Sequence, residues 1–233
     1  RGLGDVYKRQ VLQSASNEDA DPVNNFYWQD YLGSEDYVRI VVAAARKYYA
    51  ENGGVKPLKL FINDYNLEST WDDNKKAKSL VHWIEKWESD GVTKIDGIGT
   101  QMHVTYNADA AKQQKQEEHV VKMFEILAKS GKLVKVSELD MGYVDESGTV
   151  VLTKDMTEEQ HKAMAEYYKF IVKKYFEIIP VAQQYGITQW CATDAPGAPG
   201  DSNWRGGEPV GLWDSNYNRK HTYAGFADGL AGK

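Results

Sequence analysis

The chain has 233 residues, 42% hydrophobic and 27% charged, which is enough for one globular core of appreciable size. Its formal charge of −6, with no block of Lys and Arg, argues against a nucleic-acid partner, and no apolar run approaches the roughly 20 residues of a membrane span. A single cysteine, Cys191, excludes an internal disulfide and a Cys-cluster zinc site, and is read as a core residue. Aromatic residues reach 12%, and several of the seven Trp stand near polar loops, a composition suited to covering the C–H faces of sugar rings.

Residues 1–10 (RGLGDVYKRQ) show neither helical nor strand period and resemble translated sequencing-adapter text, so they are set aside as a non-native tail. The start at Arg1 rather than Met is read as a frame that opens inside a longer gene. After a polar stretch from Ser14 to Asn25, Ser34 is a helix cap, with Glu35 and Asp36 in the first turn. Val38, Val41, Val42, Ala45 and Tyr49 follow at helical spacing until Asn52-Gly53-Gly54. Leu58 to Tyr65 reads as a buried strand, and Asn74 to Glu88 as a helix with Leu80, Trp83, Ile84 and Trp87 on one side. A strand from Ile95 to Val104 precedes a long helix from Ala108 to Lys129, which Gly131 closes. Leu133 to Met141 is the third strand, and Val144 to Lys154 a polar loop. Thr157 and Gln160 form a capping-box pattern opening a helix through Tyr175, and Ile187 to Ala192 is the fourth strand.

This alternation predicts the α/β class, with parallel strands and helical crossovers. Polar residues gather at the C-terminal ends of three strands, where a doubly wound sheet and a (β/α)8 barrel alike bind ligands. About four β/α units are half of a closed barrel. Either the other half lies upstream or the sheet is open, and the start without Met favours the first.

In a regular strand side chains alternate, so Val134, Val136, Glu138 and Asp140 are expected on one face and Leu133, Leu139 and Met141 on the other. The same count puts Gly97, Gly99, Gln101 and His103 on one face of the preceding strand, and Phe61, Asn63 and Tyr65 on one face of the first. Each polar residue has an ordinary structural reading, a solvated strand end or a hydrogen-bonded core histidine. Together, an imidazole between two carboxylates can be held by Asp140 while it orients Glu138 as a nucleophile. Neither Asp72-Asp73 nor the surface acids have the spacing of a metal site.

Lys59 to Asn66 (KLFINDYN), Asp96 to His103 (DGIGTQMH) and Ser137 to Asp140 (SELD) resemble consecutive strand motifs of glycoside hydrolase family 10. The ending agrees: Gln189-Trp190 with Asp194, Ser202 to Arg205 (SNWR), Pro209 to Asp214 (PVGLWD) and Lys220 to Tyr223 (KHTY) are similar to the family's last strand, its loop and its closing helix. The resemblance runs from about Phe26 to Leu230 and makes residues 11–233 the C-terminal portion of a catalytic (β/α)8 TIM barrel. It implies a retaining endo-1,4-β-xylanase without cofactor or metal. By motif, Glu138 is the nucleophile, His103 and Asp140 its support, and Gln101 a sugar contact; Trp190 and Trp204 are subsite walls, with Asn63 and Tyr65 beside the cleft. The family's acid/base glutamate follows an asparagine in a Trp-Asp-Val-Val-Asn-Glu-like motif. This sequence has none, and Glu18 is read as a loop carboxylate, so the acid/base is expected to be absent and the chain inactive alone. The alternatives are a non-catalytic xylan-binding or β-glycan-binding barrel, or a related β-1,4-glycanase. The expected partner is xylan or a xylo-oligosaccharide, and the parent is read as a secreted, periplasmic or cell-surface protein, a monomer or a multi-domain chain.

Overall fold

The computed structural model describes residues 31–33, 36–194 and 204–233; the expected tail, Ser34 with Glu35, Glu18, and Ser202 with Asn203 lie outside the described residues. Among the described residues five strands, all parallel, form one sheet: β1 (Phe61–Asp64), β2 (Gly97–Thr100), β3 (His103–Asn107), β4 (Leu133–Val144) and β5 (Gln184–Gln189). Before, between and after them run α1 (Asp36–Glu51), α2 (Lys75–Glu88), α3 (Ala110–Lys129), α4 (Glu158–Ile178) and α5 (His221–Leu230). The expected α/β class, with parallel strands linked by helices, is what the chain adopts.

The helices begin where the sequence offers caps. Asp109 accepts from the N–H groups of Ala111 (3.0 Å) and Lys112 (3.1 Å), which shortens the expected 108–129 helix by two residues. At α4, Gln160 N–H donates to Thr157 Oγ1 (3.3 Å) and Thr157 N–H to Gln160 Oε1 (2.8 Å), the reciprocal box its spacing predicts. Val120, Met123, Phe124 and Leu127 of α3 are wholly buried, each stabilising the fold by roughly 1.5–3 kcal/mol relative to exposure. Arg39 ties α1 to the end of α2 through the carbonyls of Trp87 (3.0 Å) and Lys86 (2.9 Å).

The strands depart from the expected pattern in ways that matter for the site. The single strand expected over Ile95–Val104 is two, because Gln101 and Met102 leave the ladder and Met102 takes a left-handed φ of 59°. β2 pairs with the first half of β4 (Gly97↔Leu133 to Thr100↔Val136), and β3 with the second half (His103↔Asp140 to Asn107↔Val144). β4 is therefore longer than expected and serves as the spine. The fourth expected strand, Ile187–Ala192, lies at Gln184–Gln189, because the chain turns at Cys191 with a φ of 62°.

The expected face assignment in β4 holds only in part. Thr100 sits on the helix side of the sheet, its hydroxyl against Met123 of α3, so its register partner Val136 lies there too, as does Val134 beside Ile98. Glu138 and Asp140 lie on the opposite side, with Asn63 and His103. The cause is a bulge: Val136 pairs with Ile187 and Leu139 with Gln189, so β4 carries one residue more than β5 over that interval. The slip lets two valines face the helices and two carboxylates face the interior within one strand. Leu139 and Met141 then return to the helix side, whereas Leu133, paired with Gly97, faces the interior.

A compensating slip lies lower in β5, between Gln184 and Gly186. The Tyr175 hydroxyl fills it, donating to Val134 O (2.7 Å) and accepting from the N–H groups of Tyr185 and Gly186 (both 3.0 Å). Tyr175→Phe leaves these backbone groups without that partner and is expected to lower stability by about 2–3 kcal/mol in a urea titration, with an unchanged denaturant slope.

Candidate active site

Asn63, His103, Glu138 and Asp140 come together above the interior of the sheet, each from the C-terminal end of its strand or the upper extension of β3 and β4. Glycines make the room. A side chain at Gly99 would collide with the Asn63 amide, so only glycine lets β1 and β2 pair with Asn63 directed inward. Ser137 Oγ donates to Asn63 Oδ1 (2.6 Å), which fixes the amide so that its Nδ2 donates to Glu138 Oε1 (3.2 Å).

The other Glu138 oxygen, Oε2, lies 3.3 Å from His103 Nε2, and His103 Nδ1 lies 3.0 Å from Asp140 Oδ2. The imidazole thus bridges two carboxylates, as the sequence spacing suggested, and when doubly protonated it donates to both. Asp140 has no exposed surface. Its Oδ2 also accepts from Trp204 Nε1 (2.6 Å), and its Oδ1 from Arg205 Nη1 (3.1 Å). Glu138 keeps some exposure, with its side chain at 15%, so the carboxylate that can reach a ligand is the one held from two sides rather than enclosed.

Two aromatic rings frame this cluster. Trp190 and Trp204 are 42% and 45% exposed, with ring centroids 6.4 Å apart and planes at 80°. The His103 ring lies 4.7 Å from Trp204 and 6.1 Å from Trp190. Two half-exposed tryptophans at right angles beside a carboxylate offer a corner into which a sugar ring can stack. Cys191, next to Trp190, is half-buried, and burial pushes its thiol up to about 11, so it stays protonated and unreactive at neutral pH.

The remaining expected residues are placed differently. Gln101 is 1% exposed; its backbone carbonyl accepts from Glu138 N–H (3.2 Å), and its side-chain Nε2 has no hydrogen-bond partner among the described residues. Tyr65 reaches α2, where the Lys76 ammonium lies 3.7 Å from its ring centroid and 2.8 Å from the buried Asp64 carboxylate. Beside them Glu68 is 7% exposed. Burial raises its carboxyl above the usual range, against the opposing pull of its own backbone N–H, Lys76 and His103.

Sequence reasoning did not assign Arg205, Ser137 or Glu208 to the site. Arg205 joins Asp140 and Glu208, and the two lie 65 and three positions away. No local pattern reveals the longer link. Burial works against the Arg205 charge, but Glu208 and Asp140 outweigh it and hold the guanidinium above the usual Arg range. Among the described residues no group of three His, Cys, Asp or Glu could hold a metal, and no helix is long and apolar enough to cross a membrane.

Parallel strands with helical crossovers thus carry, at their C-terminal ends, a carboxylate braced by His and Asn beside a tryptophan corner, the α/β arrangement in which strand-end sites are built. The chain belongs to glycosyl hydrolase family 10, a family of (β/α)8 barrels, whose profile matches residues 3–229, and its parallel sheet with helical crossovers agrees with that architecture. It is 30% identical over 187 residues to endo-β-1,4-xylanase Xyn10C of Cellvibrio japonicus, covering 74% of this chain and 28% of that protein. It is 26% identical over 227 residues to an endo-1,4-β-xylanase of Agaricus bisporus, covering 97% of this chain and 58% of the relative. Among solved structures it resembles the E385A mutant of Xylanase10C from Cellvibrio japonicus in complex with xylopentaose, with a TM-score of 0.65 and 28% identity over 86% of this chain and 38% of that one. The chain thus spans little more than a quarter to somewhat over half of these curated relatives.

Two changes test the electrostatics apart from activity. Asp140→Asn leaves the partly buried Arg205 short of one counter-charge and is expected to cost about 3 kcal/mol in a urea titration at neutral pH. Glu68, protonated more readily when folded than unfolded, contributes stability at low pH that is lost as pH rises past its unfolded value into the folded one. Glu68→Gln should therefore match the parent protein near pH 4 and exceed its stability at pH 7; equal stability at both pH values contradicts the assignment.

Proposed function

We propose that the protein carrying this chain hydrolyses internal β-1,4 bonds of xylan with retention, through a covalent glycosyl intermediate on Glu138. The observation that carries the reading is the bracing of Glu138: Asn63 holds one oxygen at 3.2 Å and His103 faces the other at 3.3 Å. Such bracing fixes the carboxylate and directs its lone pairs, which a nucleophile needs and a proton donor does not. Asp140 supports His103 from behind. Trp190 and Trp204 stack the sugar next to the cleaved bond, the unpartnered Gln101 amide supplies a donor to it, and Tyr65 lines the cleft beyond Asn63. The xylanase relatives and the xylopentaose complex favour xylan or a xylo-oligosaccharide over other β-glycans.

Retention needs a second carboxyl group roughly 5 to 5.5 Å from the first, to protonate the leaving oxygen. We assign that acid/base to a residue outside this sequence, which lacks an Asn-Glu strand motif, and take residues 11–233 as one portion of the catalytic domain. A polymeric substrate further implies action outside the cytoplasm.

Incubating the full-length protein with a 2-fluoro-xylobioside carrying a good leaving group should inactivate it, and peptide mapping should place the label on Glu138. Label on another residue, or a Glu138→Ala variant that retains hydrolysis, refutes the reading; removal of a nucleophile in such a pair costs on the order of 10⁴-fold or more in kcat. The 233-residue chain alone is expected to leave xylan intact.

A further inference from the structure

The loop that carries Trp204 also carries Arg205, and this arginine has no role in the mechanism above. Its side chain is 16% exposed, its backbone is left-handed (φ 48°), and its three guanidinium nitrogens all donate to protein acceptors. Nη1 donates to Asp140 Oδ1 (3.1 Å) and Val104 O (2.9 Å); Nη2 donates to Thr105 Oγ1 (3.1 Å) and Glu208 Oε2 (2.8 Å), and Nε to the same Glu208 oxygen (3.1 Å). A side chain at Gly142 would collide with both the guanidinium and Glu208, so β4 is kept bare where the guanidinium crosses it. The planar fork therefore clamps β3, β4 and the Trp204 loop together.

We infer that Arg205 is a positioning residue for the nucleophile: by occupying Asp140 Oδ1 it leaves only Oδ2 for His103 and Trp204, and so sets the rotation of the imidazole against Glu138. The chain of contacts is continuous. Arg205 fixes the plane of the Asp140 carboxylate, Asp140 Oδ2 accepts from His103 Nδ1–H, and His103 Nε2 meets Glu138. Because Trp204 Nε1 shares Oδ2, the same clamp seats the sugar platform and the nucleophile as one unit. Among the described residues, the charged groups that face His103 are Glu138 and Asp140 from β4 and Glu68 from the segment after β1, with Arg205 acting through Asp140. The inference rests on Glu138 being the nucleophile only for its kinetic consequence; the geometric part stands without it.

The test uses the full-length protein with Arg205→Ala and Arg205→Lys. In Arg205→Ala the downfield proton resonance of the His103 Nδ1–H to Asp140 bond should disappear, and millimolar guanidinium ion should restore it. In the same variant, kcat for an aryl β-xylobioside should fall about 100-fold with KM within about threefold, and guanidinium should recover part of the loss. Arg205→Lys, which keeps the charge without the fork, should retain the resonance only weakly and fall between the two in kcat. An unchanged resonance in Arg205→Ala, or a kcat loss that guanidinium leaves untouched while the resonance persists, overturns the inference and leaves Arg205 a loop anchor. A protein with no glycosidase activity at all would defeat the proposed function instead, and the resonance and its rescue would still decide the role of Arg205.

Discussion

Asp140 has no exposed surface, and a carboxylate removed from water costs several kcal/mol unless donors replace the lost hydration. Three do so: His103 from β3, and Trp204 and Arg205 from the loop that follows β5. That one requirement draws together segments separated by 37, 64 and 65 positions and sets where His103, Trp204 and Arg205 stand in the site. Trp204 and Arg205 are brought onto the upper part of β3 and β4 because they are the donors. His103 is directed at Glu138 because its other nitrogen is committed. A buried charge satisfied in this way adds little net stability, yet it specifies a single arrangement, which suits a group whose task is to hold another in place.

Two backbone irregularities make that arrangement compatible with a packed core. At Met102 the chain leaves β2 in a left-handed conformation and re-enters the sheet as β3, which places His103 beside Asp140 where the β2 register alone would set it beside Leu139. At Ser137 and Glu138 the β4 bulge reverses the alternation, so valines stay against the helices and carboxylates turn to the cleft. A regular strand could satisfy one of these demands only. Bulges concentrate next to active sites for this reason: they redirect a side chain without dismantling the ladder on either side. Here the slip in β4 is balanced by one in β5, sealed by the Tyr175 hydroxyl, so the sheet recovers its register.

The polar cluster therefore stands on rigid elements. Beneath it Val134, Val136, Leu139 and Met141 are completely buried against the helices, and above it the half-exposed tryptophans leave Glu138 open to a ligand. Glu68, Asp64 and Lys76 form a second buried polar group behind β1, whose ammonium lies over the Tyr65 ring. This holds Tyr65 toward α2, a placement that strand alternation alone did not convey.

Much of the architecture was legible along the chain because its signals are local. Helical spacing, the Asp109 cap and the Thr157–Gln160 box depend on residues within a turn of one another, and the strand motifs gave the α/β class, the family and the identity of Glu138, His103 and Asp140 as a set. Strand ends and faces were less legible: the break at Met102 and the bulge at Glu138 arise from pairing with partners remote in sequence, and a regular period of two carries no trace of them. Arg205 was invisible for the same reason, since nothing near it in the chain marks it as the counter-ion of a carboxylate 65 positions earlier. By itself the sequence determined which chemical groups are present and which elements carry them. Only the tertiary structure decided which oxygen faces which donor, because that depends on register, on burial and on the need to satisfy a charge once water is gone.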